Sequence, residues 1–109
     1  MEELADDEAP IGSAVVTYDS AGVPVIELVG EIDISNADSL RAMLESVVAA
    51  QPALIVFDLG RLTFMDSSGI AFLLRVAAQS GAVHVRHPSA IVRRIIEVTG
   101  LTDVLQIEP

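Results

Sequence analysis

The chain of 109 residues contains no cysteine, no tryptophan and no lysine, and its six basic residues are all arginine. Without cysteine, disulfides, thiolate zinc sites, iron–sulfur clusters and cysteine nucleophiles are all excluded. Six bases against 16 acids give a formal net charge of −10, which argues against nucleic acid or an anionic membrane surface as a ligand. Aromatic residues make up only 4 %, so a core has to be built from aliphatic side chains. Long apolar runs are missing too, although 51 % of the chain is hydrophobic. The run Pro52–Phe57 ends at Asp58, far short of the ~20 residues that span a bilayer. The start, Met-Glu-Glu, lacks the basic and apolar regions of a signal peptide. These features predict a cytoplasmic protein with no membrane insertion, and the length suits one domain.

Half of the negative charge sits in Glu2, Glu3, Asp6, Asp7 and Glu8, which predicts a solvated acidic tail over residues 1–12 and a folded domain over 13–109. Within the body, β-rich runs at Ser13–Tyr18 and Pro24–Val29 flank the turn-forming Asp19-Ser-Ala-Gly22 and predict a hairpin. Ser35 and Asp38 form a weak capping box ahead of an apolar stripe from Ala37 to Ala50, which predicts a helix. Ala53–Phe57 has the continuous hydrophobicity of a buried parallel strand. Ile70, Leu73, Leu74, Ala77 and Ala78 mark a second helix, with Gly81 placed as its C′ residue. A short strand is predicted at Ala82–Arg86. A third helix then opens at Pro88, turns Ile91, Val92, Ile95 and Ile96 inward, and stops at Gly100. Val104–Ile107 is a weak last strand. The order ββαβαβα(β) predicts an α/β fold with a mixed, largely parallel sheet backed by helices.

Most chemical templates fail on this chain. Neither Gly-x-x-x-x-Gly-Lys-Ser/Thr nor Gly-x-Gly-x-x-Gly occurs. His84 and His87 lie on a strand and its exit, which directs them to opposite faces, and no third ligand stands at useful spacing. Glu31 and Asp33 read as solvated carboxylates at a strand end, and Arg86, Arg93 and Arg94 with the two histidines read as a solvated basic patch. The segment Asp66-Ser67-Ser68-Gly69 stands apart, because it joins an apolar stretch to a strongly amphipathic helix. Helix capping by Asp66 or a serine explains it locally. Nucleophilic catalysis by Ser67 lacks both the Gly-x-Ser-x-Gly elbow and an evident histidine base. Phosphorylation is the better functional reading, since a phosphoryl group there adds roughly two negative charges beside Asp66 and repels an interface.

The runs Gly30-Glu-Ile-Asp33, Leu62-Thr-Phe-Met-Asp-Ser-Ser-Gly-Ile70 and Val98-Thr-Gly-Leu101 resemble those of a STAS domain, in family order and spacing, over residues 13–107. Within that family the chain most resembles the free-standing anti-sigma factor antagonists of bacteria. The resemblance implies a non-enzymatic regulator of transcription that requires no cofactor. It implies that the unphosphorylated domain binds an anti-sigma factor serine kinase and frees a sigma factor. The kinase then phosphorylates the first serine of the motif, here Ser67, and a metal-dependent serine phosphatase restores the binding form. Met65, Asp66, Ser68 and Gly69 flank the acceptor at the implied contact surface, and Asp33 matches the family's loop aspartate. The family usually continues into a further helix where this chain ends at Pro109, and Ile34-Ser-Asn36 is not the commonest loop after Asp33. A second reading is a STAS subunit of a lipid-transport or other membrane-associated assembly, in which Ser67 is only a structural cap.

Overall fold

The computed structural model describes residues 12–109, so the predicted acidic tail lies outside the described residues except for Gly12. Five strands form one sheet in the order β1-β2-β3-β4-β5: β1 Gly12–Tyr18, β2 Pro24–Ile32, β3 Ile55–Met65, β4 Val83–Arg86 and β5 Leu105–Ile107. Only β1 runs antiparallel to its neighbour, and β2 through β5 are parallel. The β1–β2 turn is tied by Asp19, whose Oδ1 accepts from the amides of Ala21 (2.8 Å) and Val23 (2.9 Å), while Gly22 supplies the positive φ of 82°.

Four helices connect the parallel strands: α1 Ala37–Met43, α2 Glu45–Ala49, α3 Ser67–Gln79 and α4 Ala90–Val98. Their buried side chains share one core with alternate strand positions, among them Ile26, Leu28, Ile55, Phe57, Leu59, Val83 and Val85. Phe57 and Phe72 meet edge-to-face at 5.8 Å and 70°, the one aromatic pair in an otherwise aliphatic core. The other sheet face carries Val25, Glu27, Asp58, His84 and Arg86, the intervening positions of the same strands.

Several elements differ from the sequence reading, each for a physical reason. β2 runs on past Val29 to Ile32, and β3 runs on past Phe57 to Met65, because the two strands keep pairing through two register shifts. Gly30 takes φ 87° at one shift, and the Thr63 hydroxyl donates to its carbonyl at 3.0 Å. The single helix expected over 37–50 is interrupted at Leu44, whose amide is shared between the carbonyls of Leu40 and Arg41, although Leu40, Leu44 and Val48 stay buried in line. The expected capping box is not formed. Asn36 is the N-cap and makes no side-chain cap bond, and Ser35 bonds to Asp33 instead.

Gly81 is not a left-handed C′ residue, since α3 ends at Ser80 in extended geometry. Glycine is required there because a Cβ would stand 2.3 Å from the carbonyl oxygen of Ala53. Pro88 precedes the helix it was expected to open. Ser89 caps α4 by accepting from the amide of Val92, and Ile91 faces solvent rather than the core. Gly100 does terminate α4 in left-handed geometry, and Leu101 packs on the core beyond it.

Candidate functional site

The two acidic motifs meet because β2 and β3 are parallel neighbours. Ile32 pairs with Met65, so Asp33 and Asp66 leave the same end of the sheet side by side, and the Asp66 amide donates to the Ile32 carbonyl at 3.2 Å. In a parallel sheet this end, where strands exit into helices, is the usual place for a functional surface.

Asp66 is the N-cap of α3. Its Oδ1 accepts from the amides of Ser68 at 2.8 Å and Gly69 at 3.4 Å, so the expected capping role is real. Ser67 follows as the first helical residue. It is exposed, and its hydroxyl has no hydrogen-bond partner among the described residues. Ser68 is half-buried and lines a groove of about 220 Å³ with Ile34, Ala37, Asp38, Ala71, Phe72 and Arg75. Met65 and Gly69 lie beneath this surface. Met65 is 6 % exposed, and its side chain fills the space that a Cβ on Gly69 would need.

Asp33 is organised by the loop that follows it. The Ser35 hydroxyl and the Ser35 amide (2.9 Å) both donate to its carboxylate and hold it below the ordinary carboxylate range. Asn36 clasps the loop from behind, accepting from the Asp33 amide at 3.0 Å and donating to the Glu31 carbonyl at 2.8 Å. The outcome is a fixed, ionised carboxylate beside the start of α3. Ile34, in the same loop, is 81 % exposed and lines the Ser68 groove. Sequence reading named Ile34 only within the uncommon loop Ile34-Ser-Asn36, as a feature bearing on partner choice; the signal for its place in the groove was an isoleucine in a polar loop that neither adjoining periodicity used.

The histidines and Arg86 lie elsewhere and are engaged. His84 Nδ1 is 3.5 Å from Glu108, whose other oxygen accepts from Arg86 Nε at 2.9 Å, and His87 Nδ1 is 3.2 Å from Asp58. His87 has φ 55°, which takes the chain out of strand geometry and returns the ring to the carboxylate-bearing side, against the expectation of opposite faces. Arg86 is thereby paired with Glu108, while Arg93 and Arg94 are exposed and have no ion-pair partner among the described residues, in keeping with the expected solvated patch.

Comparison with known proteins agrees with this arrangement. The family described as "Mlab, STAS domain" matches residues 16–107. The anti-sigma-F factor antagonist RsfB of Mycobacterium tuberculosis is 33 % identical over 96 residues, covering 85 % of this chain and 79 % of that protein. A crystal structure of an anti-sigma factor antagonist from Mycobacterium paratuberculosis superposes with a TM-score of 0.74 at 32 % identity, over 90 % of this chain and 86 % of that one. The anti-sigma factor antagonist SpoIIAA in its unphosphorylated form superposes with a TM-score of 0.70 at 25 % identity, over 89 % of each chain. No described helix is long and apolar enough to cross a membrane. The strand order, the paired acidic loops and the exposed serine at a helix start therefore stand in a chain that belongs to the STAS domain family.

Proposed function

We propose that this protein is a cytoplasmic anti-sigma factor antagonist. It binds an anti-sigma factor that is also a serine kinase, frees a sigma factor, and is switched off by phosphorylation of Ser67. The observation that carries this reading is the state of Ser67: exposed, unbonded, and next to a capping carboxylate that already occupies two of the helix-terminal amides. A hydroxyl used as a structural cap would be bonded to those amides, and a nucleophile would be bonded to a base. Neither holds for Ser67, whereas a kinase needs an accessible hydroxyl on a well-defined backbone. The relatives that match are named anti-sigma factor antagonists, which favours this reading over a membrane-associated subunit, although the family description itself is "Mlab".

Ser67, Ser68 and Asp33 form the contact surface in this reading. Asp66 fixes the start of the helix, and Met65 and Gly69 support it from below. A phosphoryl group on Ser67 adds roughly two negative charges beside Asp66 and Asp33, and the interface is lost by repulsion. A metal-dependent serine phosphatase acting on the phospho-form resets the switch. The test is co-purification of the unphosphorylated chain with its kinase, then intact mass after addition of ATP. A gain of one phosphoryl group that disappears in Ser67→Ala is expected; a gain that survives Ser67→Ala overturns the assignment.

A further inference from the structure

Among the described residues the outer strand β1 has an open edge, and the strand itself carries none of the devices that usually protect one. Among the described residues nothing pairs with its outer side, and its pairing with β2 runs over seven positions without a register shift, so the strand has no bulge. From Ser13 to Tyr18 the sequence Ser-Ala-Val-Val-Thr-Tyr holds no charge, proline or glycine. Lysine, proline, bulges and brevity are how edges are normally blunted. The opposite edge, β5, is protected by its length of three residues.

The backbone groups facing outward can be identified. The Asp19 amide donates to the Val23 carbonyl at 3.0 Å, and Tyr18 lies opposite Pro24, which has no N–H. Hydrogen-bonded and non-bonded pairs alternate along an antiparallel ladder, so Ser13, Val15 and Thr17 bond to β2, and Gly12, Ala14, Val16 and Tyr18 turn their N–H and C=O groups outward. We infer that this edge pairs with β1 of a second copy of the chain, antiparallel, about a two-fold axis through Val15. In that register Ala14 meets Val16 of the second copy and Gly12 meets its Tyr18, so outward groups meet outward groups along the whole strand. Val15, 48 % exposed, meets Val15 of the second copy in a non-bonded pair on the axis.

Charge selects the antiparallel arrangement. Residues 1–11 carry five acids and no base and are joined to the strand at Gly12. Antiparallel pairing separates the two Gly12 residues by six residue rises, about 20 Å. That is about twice the screening length in 0.1 M salt, whereas parallel pairing would set the two acidic segments side by side. One strand pair buries less than the roughly 1,200–2,000 Å² of a standard stable interface, so the dimer is weak and concentration-dependent.

The test uses the full chain, whose lack of cysteine makes single-cysteine variants clean reporters. Sedimentation of the unmodified protein between about 10 μM and 1 mM should show its mass rise from 11.5 kDa toward twice that value. Val15→Cys should oxidise to a disulfide-linked dimer, because a non-bonded antiparallel pair sets Cα atoms about 4.5 Å apart, within disulfide range. Thr17→Cys should not, since the same register places the two Thr17 residues four rises apart. Ala14→Pro removes one outward N–H and should abolish the mass increase while leaving the circular dichroism unchanged. Val15→Lys sets like charges on the axis and should do the same, which covers the case that the proline variant fails to fold. A mass of 11.5 kDa throughout, as when residues 1–11 of the same chain cover the edge, overturns the inference, as does equal cross-linking of the two cysteine variants.

Discussion

Gly69 sits directly against Met65: a Cβ at Gly69 would stand 2.3 Å from Met65 Cγ and 3.0 Å from its Sδ. The glycine of the Asp-Ser-Ser-Gly segment is thus an internal packing requirement, set by the last residue of β3 folding back under the first turn of α3. Gly69→Ala forces a buried side chain aside and should lower stability by about 1–3 kcal/mol in urea denaturation. The loss should shrink in Gly69→Ala/Met65→Ala relative to the sum of the single changes, since the two residues share one contact. Additive losses would show that the clash is not what makes glycine necessary.

Asp66 makes the two capping bonds at the start of α3. Asp66→Ala should lower stability by about 1 kcal/mol, and Asp66→Asn, which also caps well, should lower it much less. Thermal melts of the two variants at neutral pH decide this. Equal losses would point to charge rather than the hydrogen bonds as the contribution of Asp66.

How legible these features were in the sequence depended on the range of the contact responsible. The helices and the apolar halves of β2 and β3 were visible because their periodicity is local. The outer halves were missed because Gly30, Asp58, Gly60 and Arg61 break the hydrophobic pattern, and only β2–β3 pairing across a bulge keeps 30–32 and 58–65 extended. Gly81 shows the same limit. Its place after a helix suggested a turn, but its reason is the Ala53 carbonyl, 28 residues away in sequence (81 − 53). In the site, the Asp66 cap was legible from its flanks. That Asp33 stands beside it depends on the Ile32–Met65 register, which motif resemblance implied and which no local pattern encodes.

Glu108 holds the segment after β5 against β4, accepting from Arg86 at 2.9 Å with His84 also close. The Arg86 hydrogen bond, with the added attraction of Arg86 and His84, keeps its carboxyl below its ordinary value of 4.5. A carboxylate depressed in the folded state contributes stability above the unfolded value, and that contribution is lost as pH falls through the folded one. Glu108→Gln should therefore cost about 0.5–1 kcal/mol at pH 7. The difference from the unmodified protein should fade progressively below pH 4.5. Urea melts across that range check it; a difference that does not change with pH would remove the ionised pair as its cause.

Phosphorylation of Ser67 should change binding far more than stability. The hydroxyl has no hydrogen-bond partner among the described residues, so modifying it breaks no bond among them, and Asp66 already occupies the amides of Ser68 and Gly69 that a phosphate would otherwise seek. Attraction to the helix terminus, about 0.3–1 kcal/mol, is offset by repulsion from the carboxylates of Asp66 and Asp33. The unfolding free energy of the phospho-form should lie within about 0.5 kcal/mol of the unmodified protein. Its affinity for the proposed anti-sigma partner should fall at least about tenfold at low ionic strength and recover in part as salt screens the added charge. Ser67→Glu should reproduce the direction of both results with a smaller loss of binding, because it adds one charge rather than two. A stability change of several kcal/mol on phosphorylation would mean that the switch works by rearranging α3, and a salt-independent loss of binding would mean that it works by steric exclusion.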